Sequence, residues 1–171
     1  MEVRKTDKLD NIMSNLQILK SKLVGIIGLE IILIQDNNIA DSLKILKVAS
    51  NTCLSYIDEI LSFLKAGKII ESKNKLLGSI DEIKRKIVGI IGMEIIMESE
   101  SENVDDILKL KEYSVSSLDL IEDISKQVSM YYELNEDREF FINNKDDSLV
   151  EPLSLYNQYM LRRVARGIPE E

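Results

Sequence analysis

Apolar residues recur through most of this chain at the spacing of a single helical face. The first stripe runs Ile12, Leu16, Leu19, Leu23, Ile26, Ile27 and Leu33. Asp36-Asn37-Asn38 interrupts it with turn-forming side chains. A second stripe follows through Leu43, Leu46, Cys53, Leu54, Ile57, Ile60 and Leu64, and Gly67 stands where a left-handed helix stop is expected. Leu76, Ile80, Ile83, Ile87 and Ile90 make a third stripe, which breaks over Ser99 to Asn103. Ile107, Leu110, Leu118, Ile121, Ile124 and Val128 make the fourth. Prolines occur only at 152 and 169, and no segment alternates in the manner of a strand. The pattern predicts four helices of about 25–30 residues joined by short connections.

The stripes are related to one another. Residues 22–36, KLVGIIGLEIILIQD, align with residues 86–100, KIVGIIGMEIIMESE, at an offset of 64 and with nine of 15 positions identical. Leu16 and Leu19 answer to Ile80 and Ile83, and residues 56–60 (YIDEI) answer to 120–124 (LIEDI). Such self-similarity points to one supersecondary unit used twice. The expected fold is all-α: a four-helix up-down bundle from a duplicated helical hairpin, its halves superimposing under a pseudo-twofold rotation. The first copy covers about residues 8–67 and the second about 72–132, within a bundle of residues 1–132.

Residues 133–171 have a different character. The stretch 133–148 is acidic and rich in asparagine around Phe140-Phe141-Ile142, and reads as a linker whose aromatic pair docks on the bundle. Pro152 suits the first turn of a further amphipathic helix. Leu153, Tyr156, Tyr159, Met160 and Val164 form its stripe, and Arg162, Arg163 and Arg166 lie near its C-terminal end. Packing of this helix on its own bundle is the leading expectation. Exchange into a second subunit is the alternative, with Tyr156, Tyr159, Met160 and the three arginines as candidate contacts.

Composition narrows the chemistry. The 171 residues contain no histidine, no tryptophan and one cysteine. A Ser-His-Asp or Cys-His triad cannot be assembled from them, nor can a histidine-based zinc site. No phosphate-binding glycine loop, nucleophile elbow or dinucleotide fingerprint is present, so no enzyme, cofactor or metal is expected. A lone Cys53 suits a reducing, cytoplasmic setting. The charged start MEVRKTDKLD does not read as a secretory signal. The longest apolar stretch, Leu23 to Ile34, already contains Glu30 and is shorter than the ~20 residues that cross a bilayer. Net charge −8 disfavours nucleic acid and anionic membrane, except locally at the C-terminal arginines.

Two repeated features remain as candidate sites. Gly25 and Gly28, matched by Gly89 and Gly92, stand in mid-helix, where each costs about 1 kcal/mol against alanine. Gly25 lies level with Ser50 in the first hairpin and Gly89 with Ser114 in the second, which suggests close helix packing at one height. A contact between subunits is the alternative use of that face. Glu30 and Glu94 are the polar exceptions in apolar stripes. Leu16, Leu19, Leu23 and Ile26 all fall within about 40° of Glu30 around the helix. A carboxylate so placed must be paired, protonated or metal-bound. Lys44, Lys47 and Lys109 stand at suitable heights to pair it, a serine contact is equally expected, and no neighbouring residue completes a di-metal ligand set. The acidic run from Glu94 to Asp106 lacks the spacing of a calcium loop and reads as a solvated turn with negative helix-start charges.

The expected function is therefore that of a non-enzymatic helical interaction or scaffold protein that self-associates, because its helices are apolar on more than one face. A small helical subunit or regulator of a nucleic-acid-associated complex is the alternative reading, and a carboxylate metal-binding bundle is a third.

Overall fold

The structure, a computed structural model, describes residues 5–35 and 39–145. It contains four helices: α1 (Lys5–Leu33), α2 (Ala40–Lys65), α3 (Lys73–Glu100) and α4 (Val104–Lys145), and no strand among the described residues. The first three match the expected lengths at 29, 26 and 28 residues. The fourth is longer, at 42 residues. Residues 133–145, expected as linker, continue α4. The physical reason lies in the sequence: no glycine or proline interrupts 104–145, and Glu133, Leu134, Glu136 and Arg138 favour helix. The side chains of Phe140 and Phe141, and the whole of residues 146–171, lie outside the described residues.

Burial follows one rule in all four helices. The inward positions of α1 are Ile12, Leu16, Leu19, Leu23, Ile26, Glu30 and Leu33, stepping alternately by four and three. The same alternation takes α2 through Leu43, Leu46, Ser50, Cys53, Ile57, Ile60 and Leu64. In α3 it selects Leu76, Ile80, Ile83, Ile87, Ile90, Glu94 and Met97. In α4 it selects Ile107, Leu110, Ser114, Ser117, Ile121, Ile124 and Val128. A seam with this mean period of 3.5 residues is that of helices crossing at about 20° with side chains interlocked between neighbours. Ile27, Leu54 and Leu118, expected in the stripes, sit one position off this seam and are half-buried.

Contacts between helices make the bundle. Helix α1 packs on α2, and α2 on α3. Surface ion pairs bridge both junctions, Lys20 to Asp58 at 2.7 Å and Lys75 to Glu59 at 3.1 Å. Helix α4 joins α3 through Lys111 and Glu98 at 3.0 Å, and joins α1 where Asn15 Nδ2 donates to Gln127 Oε1 at 2.9 Å. The exposed pairs add little to stability. The apolar seam supplies most of it.

The helix ends obey local chemistry. Helix α2 closes on Gly67, the one glycine with a positive φ among the described residues, at 70°. Lys68 N–H donates to the Phe63 carbonyl at 2.9 Å and Gly67 N–H to the Leu64 carbonyl at 3.2 Å, which is the Schellman pair of bonds. At the start of α4, the Ile107 N–H donates to the Asn103 carbonyl, and Asp105 and Asp106 lie in the first turn, where negative charge suits the helix dipole. The chain forms two compact units, residues 1–128 and 129–171, and α4 belongs to both. In the second, the Tyr131 and Tyr132 rings meet edge to face with centroids 6.0 Å apart.

Leu23 is fully buried and its neighbour Val24 is 53% exposed. Leu23→Ala is expected to cost about 2–5 kcal/mol and Val24→Ala no more than about 0.5 kcal/mol in urea unfolding of the isolated chain. Equal costs at the two positions would refute the alternating seam.

Candidate functional site: a buried carboxyl pair

Glu30 and Glu94 occupy inward positions of α1 and α3, where the seam would otherwise hold leucine or isoleucine. Both residues are 0% exposed. The four-three spacing places them there whatever their polarity, since every other position in that register is apolar. Each finds one partner on the helix that follows in sequence. The Ser50 hydroxyl donates to Glu30 Oε2 at 3.4 Å, and the Ser114 hydroxyl donates to Glu94 Oε2 at 2.9 Å. The two bonds span the same sequence separation, 20 residues, so the repeated sequence carries a repeated contact.

The other oxygen of each carboxyl is bare. Glu30 Oε1 and Glu94 Oε1 are buried without a hydrogen-bond partner. Burial is the main reason that Glu30 is pushed from 4.5 up to about 7, against the opposing effects of the Ser50 hydrogen bond and the Lys47 charge. Glu94 is pushed up to about 8, again chiefly by burial. The Ser114 hydrogen bond and the Lys111 charge oppose this, while the charge of Glu30 adds to it.

The serine contact, rather than a lysine ion pair, is what accommodates the carboxyls. Lys44 and Lys109 are exposed, and Lys47 is half-buried and acts on Glu30 through its field alone. A lysine pair inside the core would require desolvating the ammonium group as well, at a cost greater than the pair returns. Cys53 and Ser117 lie three residues beyond the two serines on the same seam. The Cys53 thiol is buried and pushed up to about 11, mainly by desolvation, so it stays protonated and unreactive. Among the described residues there is no group of three or more His, Cys, Asp or Glu side chains placed to share a metal ion.

The glycines do not do what their alignment with Ser50 and Ser114 suggested. Gly25, Gly28, Gly89 and Gly92 are all exposed, and a Cβ built on any of them meets no atom within 4 Å. No helix among the described residues approaches them. The correction follows from the seam: with Leu23, Ile26 and Glu30 pointing inward, residues 25 and 28 must point outward. Ser50 and Ser114 are buried donors to the carboxyls and not spacers opposite glycine.

That outward face carries residues the stripe analysis passed over. Val24, Ile31 and Ile32 are 53%, 49% and 67% exposed, and their repeat partners Val88, Ile95 and Ile96 are 55%, 54% and 59% exposed. Their place one or two positions off the four-three register separates these residues from the core. Tyr156, Tyr159, Met160, Arg162, Arg163 and Arg166, named as contact candidates, lie outside the described residues. No helix among the described residues is long and apolar enough to cross a membrane.

Ser114→Ala is expected to cost about 1–3 kcal/mol, because it strips the buried Glu94 of its donor. Ser50→Ala, whose bond is longer, should cost less. Glu30→Met and Glu94→Met are expected to leave the melting temperature unchanged or raise it, since apolar packing replaces a poorly satisfied carboxyl. Thermal melting of these variants checks both statements.

No family model matches this chain, and neither a curated protein nor a solved structure does.

Proposed function

We propose that this protein is a non-enzymatic helical scaffold that associates with copies of itself through the outer faces of α1 and α3. The supporting observation is the pair of outward apolar faces: Val24, Ile31 and Ile32 around Gly25 and Gly28, and Val88, Ile95 and Ile96 around Gly89 and Gly92. Solvent-facing helix positions are ordinarily charged or polar, and clustered β-branched residues there mark a contact surface. The bare glycine backbone between them admits a second helix closely. Because the two faces have nearly the same sequence, what fits one fits the other, and a second copy of the chain is the natural occupant.

The full architecture under this reading is an up-down-up-down bundle from a duplicated hairpin. The order of contacts along the chain supports antiparallel neighbours: Lys20 with Asp58 and Glu30 with Ser50 in the first copy, Glu94 with Ser114 in the second. Parallel α1 and α3 on opposite corners of such a bundle would turn their glycine faces to opposite sides, so each protomer would bind two others.

Light scattering at micromolar concentration should show an oligomer larger than a dimer. Ile32→Glu together with Ile96→Glu should give a folded monomer, and either change alone an assembly reduced in size. Gly28→Ala and Gly92→Ala should raise the stability of the monomer by about 0.5–1 kcal/mol each while weakening association, since alanine favours helix and fills the dent. A wild-type monomer at high concentration would sink this reading.

A further inference from the structure

We propose that the buried Glu30 and Glu94 carboxyls are held protonated in the folded protein, and that loss of these protons loosens the helices, so that the two buried carboxyls act as a pH-sensitive lock.

The geometry leads to this from the unsatisfied atoms. Two buried pairs span the four helices: Glu30 of α1 with Ser50 of α2, and Glu94 of α3 with Ser114 of α4. Two hydroxyls donate to two carboxyls, one each, and both use Oε2. Both Oε1 atoms are left without a partner and away from water. An ionised carboxylate can only accept hydrogen bonds, so two ionised carboxylates leave both atoms bare and repel one another. A proton on a carboxyl changes both conditions, because it removes the buried charge and turns the acid into a donor as well as an acceptor.

The charges around the carboxyls do not replace those protons. From α2, Lys47 acts on Glu30 at a distance. From α4, Lys111 acts on Glu94, but its ammonium group is bound to Glu98 at 3.0 Å. Lys86 of α3 acts on Cys53 of α2, whose thiol keeps its own proton. Both carboxyls hold protons more tightly in the folded protein than their ordinary value of 4.5 allows, to about 7 and about 8. A raised acid of this kind contributes stability that is fully present below 4.5 and is lost as pH rises through the folded values. The chain has no histidine, so no imidazole titrates across the same range to obscure the effect.

The experiment uses the full chain, with thermal melting and amide hydrogen exchange followed from about pH 5 to about pH 9. The wild-type melting temperature is expected to fall across this range. Exchange in the turns around residues 30 and 94 should quicken more than in the Glu30→Gln, Glu94→Gln double variant, whose melting temperature should stay level. Infrared spectra at neutral pH should show a protonated-carboxyl carbonyl band that rising pH removes and the double variant lacks. If the double variant does not fold, each single variant should retain a smaller fall and a weaker band. A wild-type melting temperature that holds or rises with pH overturns the proposal. So does an equal fall in the glutamine variants. A drop in the wild-type melting temperature on adding a chelator also overturns it, because a metal ion would then occupy the place assigned to the proton.

Discussion

The alternation of four and three residues between inward positions is the constraint on which everything else here depends. It assigns each side chain to the core or to the surface before its chemistry is considered. Leucine and isoleucine fill most inward positions, and the apolar area they bury holds the helices together. At residues 30 and 94 the same rule draws a carboxyl into the core. At residues 25, 28, 89 and 92 it turns glycine outward, and with it the flanking valines and isoleucines. The two unusual features of the repeated segment, its polar interior and its apolar exterior, are two sides of one helical register.

A buried carboxyl is a poor source of stability, and two of them facing the same core are worse. Their value in a bundle lies in register. A leucine seam accepts a slip of one heptad at modest cost, because one apolar layer resembles the next. The Glu30–Ser50 and Glu94–Ser114 contacts do not, since a slip would carry a carboxyl into a wholly apolar layer with no hydroxyl to meet it. The two contacts stand at aligned positions of the two similar segments, 30 with 94 and 50 with 114.

Much of this was legible in the chain itself, and the limits were physical. Leu16, Leu19, Leu23 and Ile26 set the azimuth of the core, and Glu30 lies on that side by simple rotation, so its burial was readable without a structure. Its partner was not. Periodicity tells which way a side chain points but not how far it reaches, so lysine and serine stood as equal partners for Glu30, and the structure has the Ser50 hydroxyl. The glycines misled for a related reason: small size was taken to mean contact, while their azimuth opposite Glu30 placed them in the open. Acidic, asparagine-rich composition made residues 133–145 look like a linker. The buried residues Tyr131 and Asn135 keep the three-four spacing beyond Val128, and the helix runs on to Lys145.

Cys53 gives the core a chemical consequence of its own. It is the single sulfhydryl of the chain, it is 0% exposed, and it stands one step along the seam from Ser50, where the second copy of the repeat has Ser117. Closed, the bundle keeps it both protonated and out of reach, so oxidants and electrophiles have no purchase on it. An added sulfur or oxygen atom at that position has no room in a packed seam, and a bundle modified while open would not close again as before. Opening of this part of the core is therefore the step that brings the one thiol of the chain within reach of oxidants.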